Sequence, residues 1–265
     1  MTLARRLARR EVLPHNMLLV FQPAEETTGG AQAICHSGVF DQYRTKAIFG
    51  LHLWPDLPAG VLASIPGGMM CRSSEVTLTV TGRSAHVARA GLGRDALEAA
   101  ARWYLEALSL EGQLPPEEPR LLKFGRLQAG TVRNALAGSA RLEGTLRAFR
   151  DPVFDRLRGE LEALARDIAA GSGCRLDLSF SDGYPAVWNP PELLERVEGI
   201  WPLARLDKPV LITEDFSWYQ RYLPGLFFFL GCGPAPALHS PDFQFDEGVL
   251  ARGADLFTRI GEELV

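Results

Sequence analysis

The chain is poor in the features that mark several function classes. Four cysteines, Cys35, Cys71, Cys174 and Cys232, are scattered through 265 residues with no pair at CxxC spacing. That pattern indicates neither a zinc ribbon nor a disulfide framework, and it makes a reducing, cytoplasmic setting the default. No apolar run approaches the roughly 20 residues that cross a bilayer. Neither sign of charge dominates, with 28 basic against 32 acidic residues and a net charge of -4. The chain therefore lacks the electrostatic footprint of a nucleic-acid or anionic-membrane binder. Residues 1–10 have no continuous apolar core, so they do not read as a secretory leader. Leu3 and Leu7, with Arg5, Arg6, Arg9 and Arg10 around them, read as the last turns of a surface helix rather than a transit peptide. The phosphate-loop spacings GxGxxG and GxxxxGK are missing, as is the GxSxG nucleophile elbow.

What is present is an ordinary globular composition, 46% hydrophobic and 23% charged, long enough to bury a core. Residues 17–21 (MLLVF), 47–51 (AIFGL) and 225–230 (GLFFFL) are short continuous apolar runs. Such runs suit strands buried on both faces of a parallel sheet. A helix is expected from about Gly30 to a cap at Gly38. Further helices are expected over 191–200, 215–222 (Asp215 as the cap) and 247–264, the last with Leu250, Ala254, Phe257 and Ile260 inward. Between residues 73 and 182 the style changes. Strands are expected at 74–81, 121–127, 140–148 and 175–180, with period-2 alternation in all but 121–127. Helices are expected at 95–108, with Leu97, Ala101, Tyr104 and Leu108 inward, and from the Asp151-Pro152 start to about Ala170. That β-α-β-β-α-β order is the split arrangement of a ferredoxin-like sandwich. The expected organisation is an α/β domain over residues 1–72 and 183–265, interrupted by an α+β domain over 73–182.

Candidate chemistry sits where the apolar strands end. Glu25 and Glu26 follow the first run, and ligands of open α/β sheets bind beyond the carboxyl ends of strands. Adjacent carboxylates point apart, so one can bind a metal while the other serves as general base. Taken alone, the pair reads better as the acidic N-terminus of a helix. His52 follows the second run and His239 trails the third. Glu, His and His form a ligand set for a borderline divalent metal. His86 and Asn134 lie beside strands of the central domain and taken alone read as turn residues. His15 and His36 read as solvent-facing. Glu214 starts a short helix, where a catalytic role is open.

Seven strings in order along the chain give a resemblance. They are FQPAEE (21–26), IFGLHLWP (48–55), GRSAHVA (82–88), TVRNALAG (131–138), LEGTLRAF (142–149), TEDFSWY (213–219) and LHSP (238–241). Together they resemble the metallo-amidohydrolases of the aminoacylase, hippurate-hydrolase and indole-acetyl-amino-acid-hydrolase type, a group that includes N-acetyl-diaminopimelate deacetylases. The resemblance implies a zinc-exopeptidase-like, doubly wound catalytic domain with an inserted ferredoxin-like lid that dimerises. It implies hydrolysis of N-acyl amino acids or dipeptide-like substrates with two divalent ions of the zinc, manganese, cobalt or nickel kind. Carried over, Glu25 is the general base, Glu26 and His239 bind one metal, and His52 binds the second. His86 reaches the neighbouring subunit's active site to stabilise the oxyanion, and Asn134 touches substrate. The group also carries a Cys-Gly-His-Asp-Gly-His segment, shortly before the helix preceding FQPAEE, that supplies a bridging cysteine and a histidine ligand. This sequence opens inside that helix, so the resemblance implies a catalytic domain lacking its N-terminal part. One metal would then keep two protein ligands and the other one, fewer than the three of a catalytic zinc site, and activity is expected to be impaired. The alternative expectation is an inactive relative or gene fragment acting as a dimerising or ligand-binding protein.

Overall fold

The computed structural model describes residues 1–10, 12–26, 29–236 and 238–264. The chain divides into two compact units, one made of Met1–Met70 with Val187–Val265 and the other of Cys71–Ala186. In chain order the first segment carries α1 (Thr2–Leu7), α2 (Ala31–His36), α3 (Val39–Gln42), β1 (Ile48–Trp54), β2 (Leu62–Ser64) and β3 (Gly67–Met70). The Cys71–Ala186 unit carries β4 (Arg72–Thr81), α4 (Ala96–Gly112), β5 (Arg120–Ala129), β6 (Ser139–Ala148), α5 (Asp151–Ser172) and β7 (Arg175–Phe180). The last segment carries β8 (Val187–Asn189), α6 (Pro191–Glu198), β9 (Ala204–Arg205), β10 (Gly225–Gly231) and α7 (Leu250–Glu263), with a 3-10 helix at Asp215–Arg221.

In the discontinuous unit the main sheet runs β1-β10-β2-β9. Strand β1 is parallel to β10, while β2 is antiparallel to it, so the sheet is mixed rather than purely parallel. Strand β10 is buried throughout because it reads as a continuous apolar run with helices on both sides. Phe227 and Phe229 pack on the face shared with α2 and the 215–221 helix. Leu226, Phe228 and Leu230 pack on the opposite face against α6 and α7. Asn189, fully buried, grips β10 from the side. Its Oδ1 accepts from Phe227 N at 2.9 Å and its Nδ2 donates to Phe227 O at 3.1 Å, replacing the ladder bonds that a neighbouring strand would make.

Two expectations fail here. Residues 17–21 form no strand, and Phe21 is 73% exposed. An apolar run becomes a strand only where a neighbour's N–H and C=O groups meet it, and among the described residues β1 pairs with β10 alone in this sheet. In α7 the inward residues include Gly253, Ala254, Leu256 and Ile260, whereas Leu250 is exposed. Small residues let that helix approach β1 and β10 closely, and Leu250 falls outside the stripe.

The Cys71–Ala186 unit holds a four-stranded antiparallel sheet in the order β5-β6-β4-β7. Val76, Leu78 and Val80 of β4 are fully buried against α4 and α5, as the alternation dictates. Its first residues are held beyond the end of β7: Ser74 Oγ donates to Ser181 O at 2.6 Å, and Ser73 N donates to Tyr184 O at 3.3 Å. Strand β5 bulges between Phe124 and Arg126 opposite Gly144. A Cβ on Gly144 would lie 2.3 Å from Lys123 O and 2.5 Å from the Phe124 ring, so only glycine fits beside the bulge.

The helices of this unit correct two finer expectations. Helix α4 buries Ala96, Ala99, Ala100, Trp103 and Ala107; of the expected stripe Tyr104 packs partly buried against the same core, whereas Leu97 is 46% exposed. Alanines leave room for Trp103, whose indole N–H donates to Leu161 O at 3.4 Å, and the large aromatic sets the inward face. Asp95 caps this helix, its Oδ1 accepting from Leu97 N at 2.9 Å. Asp151 is a first-turn residue of α5, with Arg150 in the capping position; its carboxylate meets Arg72 Nη1 at 3.1 Å instead.

Candidate active site

Four segments of the discontinuous unit build the candidate site: residues 22–26, β1, the start of the 215–221 helix, and the loop carrying His239. Ala24 takes a left-handed backbone (φ 61°), rare for a residue with a Cβ, and this sharp turn presents Glu25 and Glu26 in succession. Glu25 is partly buried and Glu26 is exposed.

Beneath the turn lies Asp215, fully buried. Gln22 Nε2 donates to its two oxygens at 2.7 and 2.8 Å, and Gly30 N and Ala31 N donate to Oδ2 at 2.9 and 3.1 Å. Tyr219 completes the set, its hydroxyl donating to Gln22 Oε1 at 2.6 Å. The sequence reading of Asp215 as the cap of its own short helix is therefore corrected. Asp215 caps α2, a different element, and Glu214 caps the 215–221 helix by accepting from Phe216 N at 3.4 Å. The extended backbone at Glu214 (φ −149°) turns the two neighbouring carboxylates to opposite tasks.

Glu25, Glu214 and Asp215 each place a carboxylate oxygen within 4.8 Å of the others. Most of the lone-pair capacity of Asp215 is taken by these four hydrogen bonds, which leaves Glu25 and Glu214 as the reactive pair. Burial, then the neighbouring charge of Glu25, raises the Glu214 carboxyl to about 8. Burial, Glu26 and Asp215 raise Glu25 as well, while His52 and a hydrogen bond from Glu214 work against that rise. Glu214 thus keeps its proton and donates it to Glu25.

His52 sits inside β1 rather than after it, because the strand continues to Trp54. Its Nδ1 lies 2.7 Å from Leu53 O. A carbonyl can only accept, so Nδ1 carries the hydrogen and Nε2 is left as a lone-pair donor, the form in which histidine binds a metal. His239, also left-handed (φ 66°), places Nδ1 3.8 Å from Glu26 Oε1. Both side chains are about two-thirds exposed, at 67% and 66%. Two ligand atoms at that separation can share one divalent ion whose bonds are about 2 Å long. The donor set fits a single ion at Glu26 and His239, with His52 as the lone sequence-derived donor for a second.

His86 and Asn134 belong to the other unit and are brought together there. His86 bridges Ala135, and Val87 N donates to Asn134 O at 3.1 Å. His86 Nδ1 accepts from Ala88 N at 3.2 Å, so its proton resides on Nε2, an exposed donor. His15 and His36 are exposed. All four cysteines are buried and free; burial pushes the Cys35 and Cys71 thiols up to about 11, which removes them as thiolate ligands or nucleophiles near neutral pH. Among the described residues no helix is long and apolar enough to cross a membrane.

Sequence reasoning left Glu214 open and missed the Gln22–Asp215–Tyr219 network. The one available signal was an acidic pair embedded in the aromatic string TEDFSWY, where a buried carboxylate needs several donors.

Comparison with known proteins agrees with this architecture. The profile of Peptidase family M20/M25/M40 matches residues 1–263. An N-acetyldiaminopimelate deacetylase from Lacticaseibacillus casei is 32% identical over 247 residues, covering 90% of this chain and 64% of that protein. A second, from Exiguobacterium sibiricum, is 31% identical over 250 residues, covering 92% of this chain and 67% of its own length. The chain thus spans about two thirds of the length of these relatives. Among solved structures, the Bacillus subtilis YXEP protein, described as a dinuclear metal binding peptidase from the M20 family, superposes with a TM-score of 0.82 at 26% identity, covering 100% of this chain and 70% of that one. The fold is shared with an aminobenzoyl-glutamate utilization protein from Klebsiella pneumoniae, with a TM-score of 0.65 at 23% identity, covering 91% of this chain and 60% of that one. With the profile extending over nearly the whole sequence, the chain belongs to peptidase family M20/M25/M40.

Proposed function

We propose that the chain carries the chemistry of a metal-dependent hydrolase of the amide bond in N-acyl amino acids, with Glu25 as general base. The observation that supports this most strongly is the pairing of Glu26 with His239 at 3.8 Å immediately beside a partly buried Glu25 that accepts a hydrogen bond from Glu214. Relatives that deacetylate an acylated amino acid point to the same substrate class.

In this reading Glu25 takes a proton from the attacking water and later delivers it to the leaving amine. Burial, Glu26 and Asp215 raise its carboxyl above the ordinary range, which makes it a stronger base than an exposed glutamate. Glu214, protonated, orients Glu25 through their hydrogen bond. A zinc, manganese, cobalt or nickel ion held by Glu26 and His239, with His52 toward a second, would polarise the amide carbonyl and acidify the attacking water. His86 and Asn134 are read as oxyanion and substrate contacts offered by the Cys71–Ala186 unit to a second copy of the chain in a homodimer.

Donor number sets the expected strength. Among the described residues, the two proposed ligands for one ion and one for the other fall short of the three usual for catalytic zinc, so metal binding by these residues is read as weak and turnover as low. The same count favours a second reading, an inactive dimerising or ligand-binding relative. The discriminating experiment offers N-acetyl- and N-benzoyl-amino acids to the chain in the presence of excess manganese or zinc. Release of free amino acid supports the hydrolase; metal binding without release supports the second reading.

A further inference from the structure

We propose that Asp215 is the positioning residue of the candidate site, one buried carboxylate tying together both ends of the loop that carries Glu25 and Glu26. The proposal rests on the reading of Glu25 as base and Glu26 as ligand. The loop leaves Gln22 and returns at Gly30. At its start Gln22 Nε2 chelates the two Asp215 oxygens at 2.7 and 2.8 Å, and at its end Gly30 N and Ala31 N reach the same Oδ2 at 2.9 and 3.1 Å. All four bonds come from N–H groups, so the carboxylate acts purely as an acceptor. Asp215 has no exposed surface, which makes these bonds strong and their loss costly.

Two further contacts hold the loop closed. Gly29 N donates to Ala24 O at 2.8 Å. At Gly30 an added Cβ would lie 2.1 Å from Pro23 O, so the chain ends meet at a distance that only glycine permits. On the other side Tyr219, four residues after Asp215, donates to Gln22 Oε1 at 2.6 Å and fixes the amide's orientation. Gln22 therefore cannot turn over without losing bonds at both ends of its amide. The left-handed turn at Ala24 is strained on its own, and this enclosure holds it. Asp215 touches neither substrate nor metal in this account; it acts by fixing where Glu25 and Glu26 point.

The test compares the full chain with Asp215→Asn, Gln22→Leu and Tyr219→Phe. Asp215→Asn sets an amide against N–H donors; where that variant fails to fold, Gln22→Leu, which leaves the α2 cap intact, carries the decision. Two readouts are taken beside the melting temperature: backbone amide exchange across residues 22–31, and the manganese concentration giving half-maximal water-proton relaxation. Loss of a supporting shell around metal ligands costs about tenfold or more in affinity. The expected result for Gln22→Leu is at least tenfold faster exchange confined to that loop and an approximately tenfold higher half-saturating manganese concentration, with Tyr219→Phe in the same direction and smaller. Exchange that stays at the wild-type rate in folded Gln22→Leu overturns the proposal, as does faster exchange with manganese affinity unchanged. If the wild-type chain takes up no manganese at all, the reading of Glu26 as a ligand fails separately, and loop-confined exchange alone then upholds or overturns the clamp.

Discussion

The Glu26 carboxylate and the His239 imidazole stand 3.8 Å apart although they come from opposite segments of the chain. Residues 71–186 form a unit of their own between those segments, so the pair meets only because the discontinuous unit closes around β1 and β10. Replacing Glu26 by Gln, or His239 by Ala, is expected to weaken manganese or zinc uptake by tenfold or more. Both side chains are mostly exposed, so stability should change by no more than about 0.5 kcal/mol. Isothermal titration and thermal melting of the same samples check the two halves; equal metal uptake in all three proteins would remove the pair from the ligand set.

The Glu214 carboxyl makes a pH dependence. Burial and Glu25 raise it from 4.5 to about 8, so the folded chain keeps a proton that the unfolded chain releases above 4.5. Stability in chelator should therefore be full below pH 4.5, fall as pH rises through about 8, and level off beyond. Glu214→Gln keeps the donor to Glu25 and removes the titration. Melting curves at pH 5, 7 and 9 should show a steeper fall for the wild type than for the variant; parallel curves would assign the loss to other groups.

In the Cys71–Ala186 unit, Trp103→Ala should cost about 3–5 kcal/mol, because the ring is fully buried between α5 and the sheet. Leu97→Ala, on the same helix but 46% exposed, should cost less than about 0.5 kcal/mol. Denaturant unfolding distinguishes them, and comparable losses would mean that the exposed leucine is covered in solution.

Much of the architecture is legible as periodicity. The alternation of β7 and the inward Leu157, Leu161, Leu164 and Ile168 of α5 follow from spacing alone, since a strand or helix with one polar face has a single way to bury the other. Residues 17–21 show the limit of that logic. Their apolar content is strand-like, yet a strand also needs a partner, and pairing is not written in the run itself. Helix α4 shows another limit: the sheet selects Trp103 with small alanines as the buried face and leaves Leu97 out, and size matching lies beyond hydrophobicity. Candidate site residues were legible as types near apolar runs, although residues 17–21 form no strand and His52 lies inside β1 rather than after it. The role of Asp215 was not, because the groups it serves, Gln22, Gly30 and Ala31, lie far away in sequence and come near only in the fold.

The most direct measurement of the account is turnover of an N-acetyl amino acid by the wild-type chain and by Glu25→Ala, each with added manganese and again with chelator. The account predicts slow, metal-dependent release of free amino acid by the wild type, reduced at least a hundredfold in Glu25→Ala, as removal of a general base should do. Turnover that survives Glu25→Ala, or that chelation leaves untouched, would contradict it.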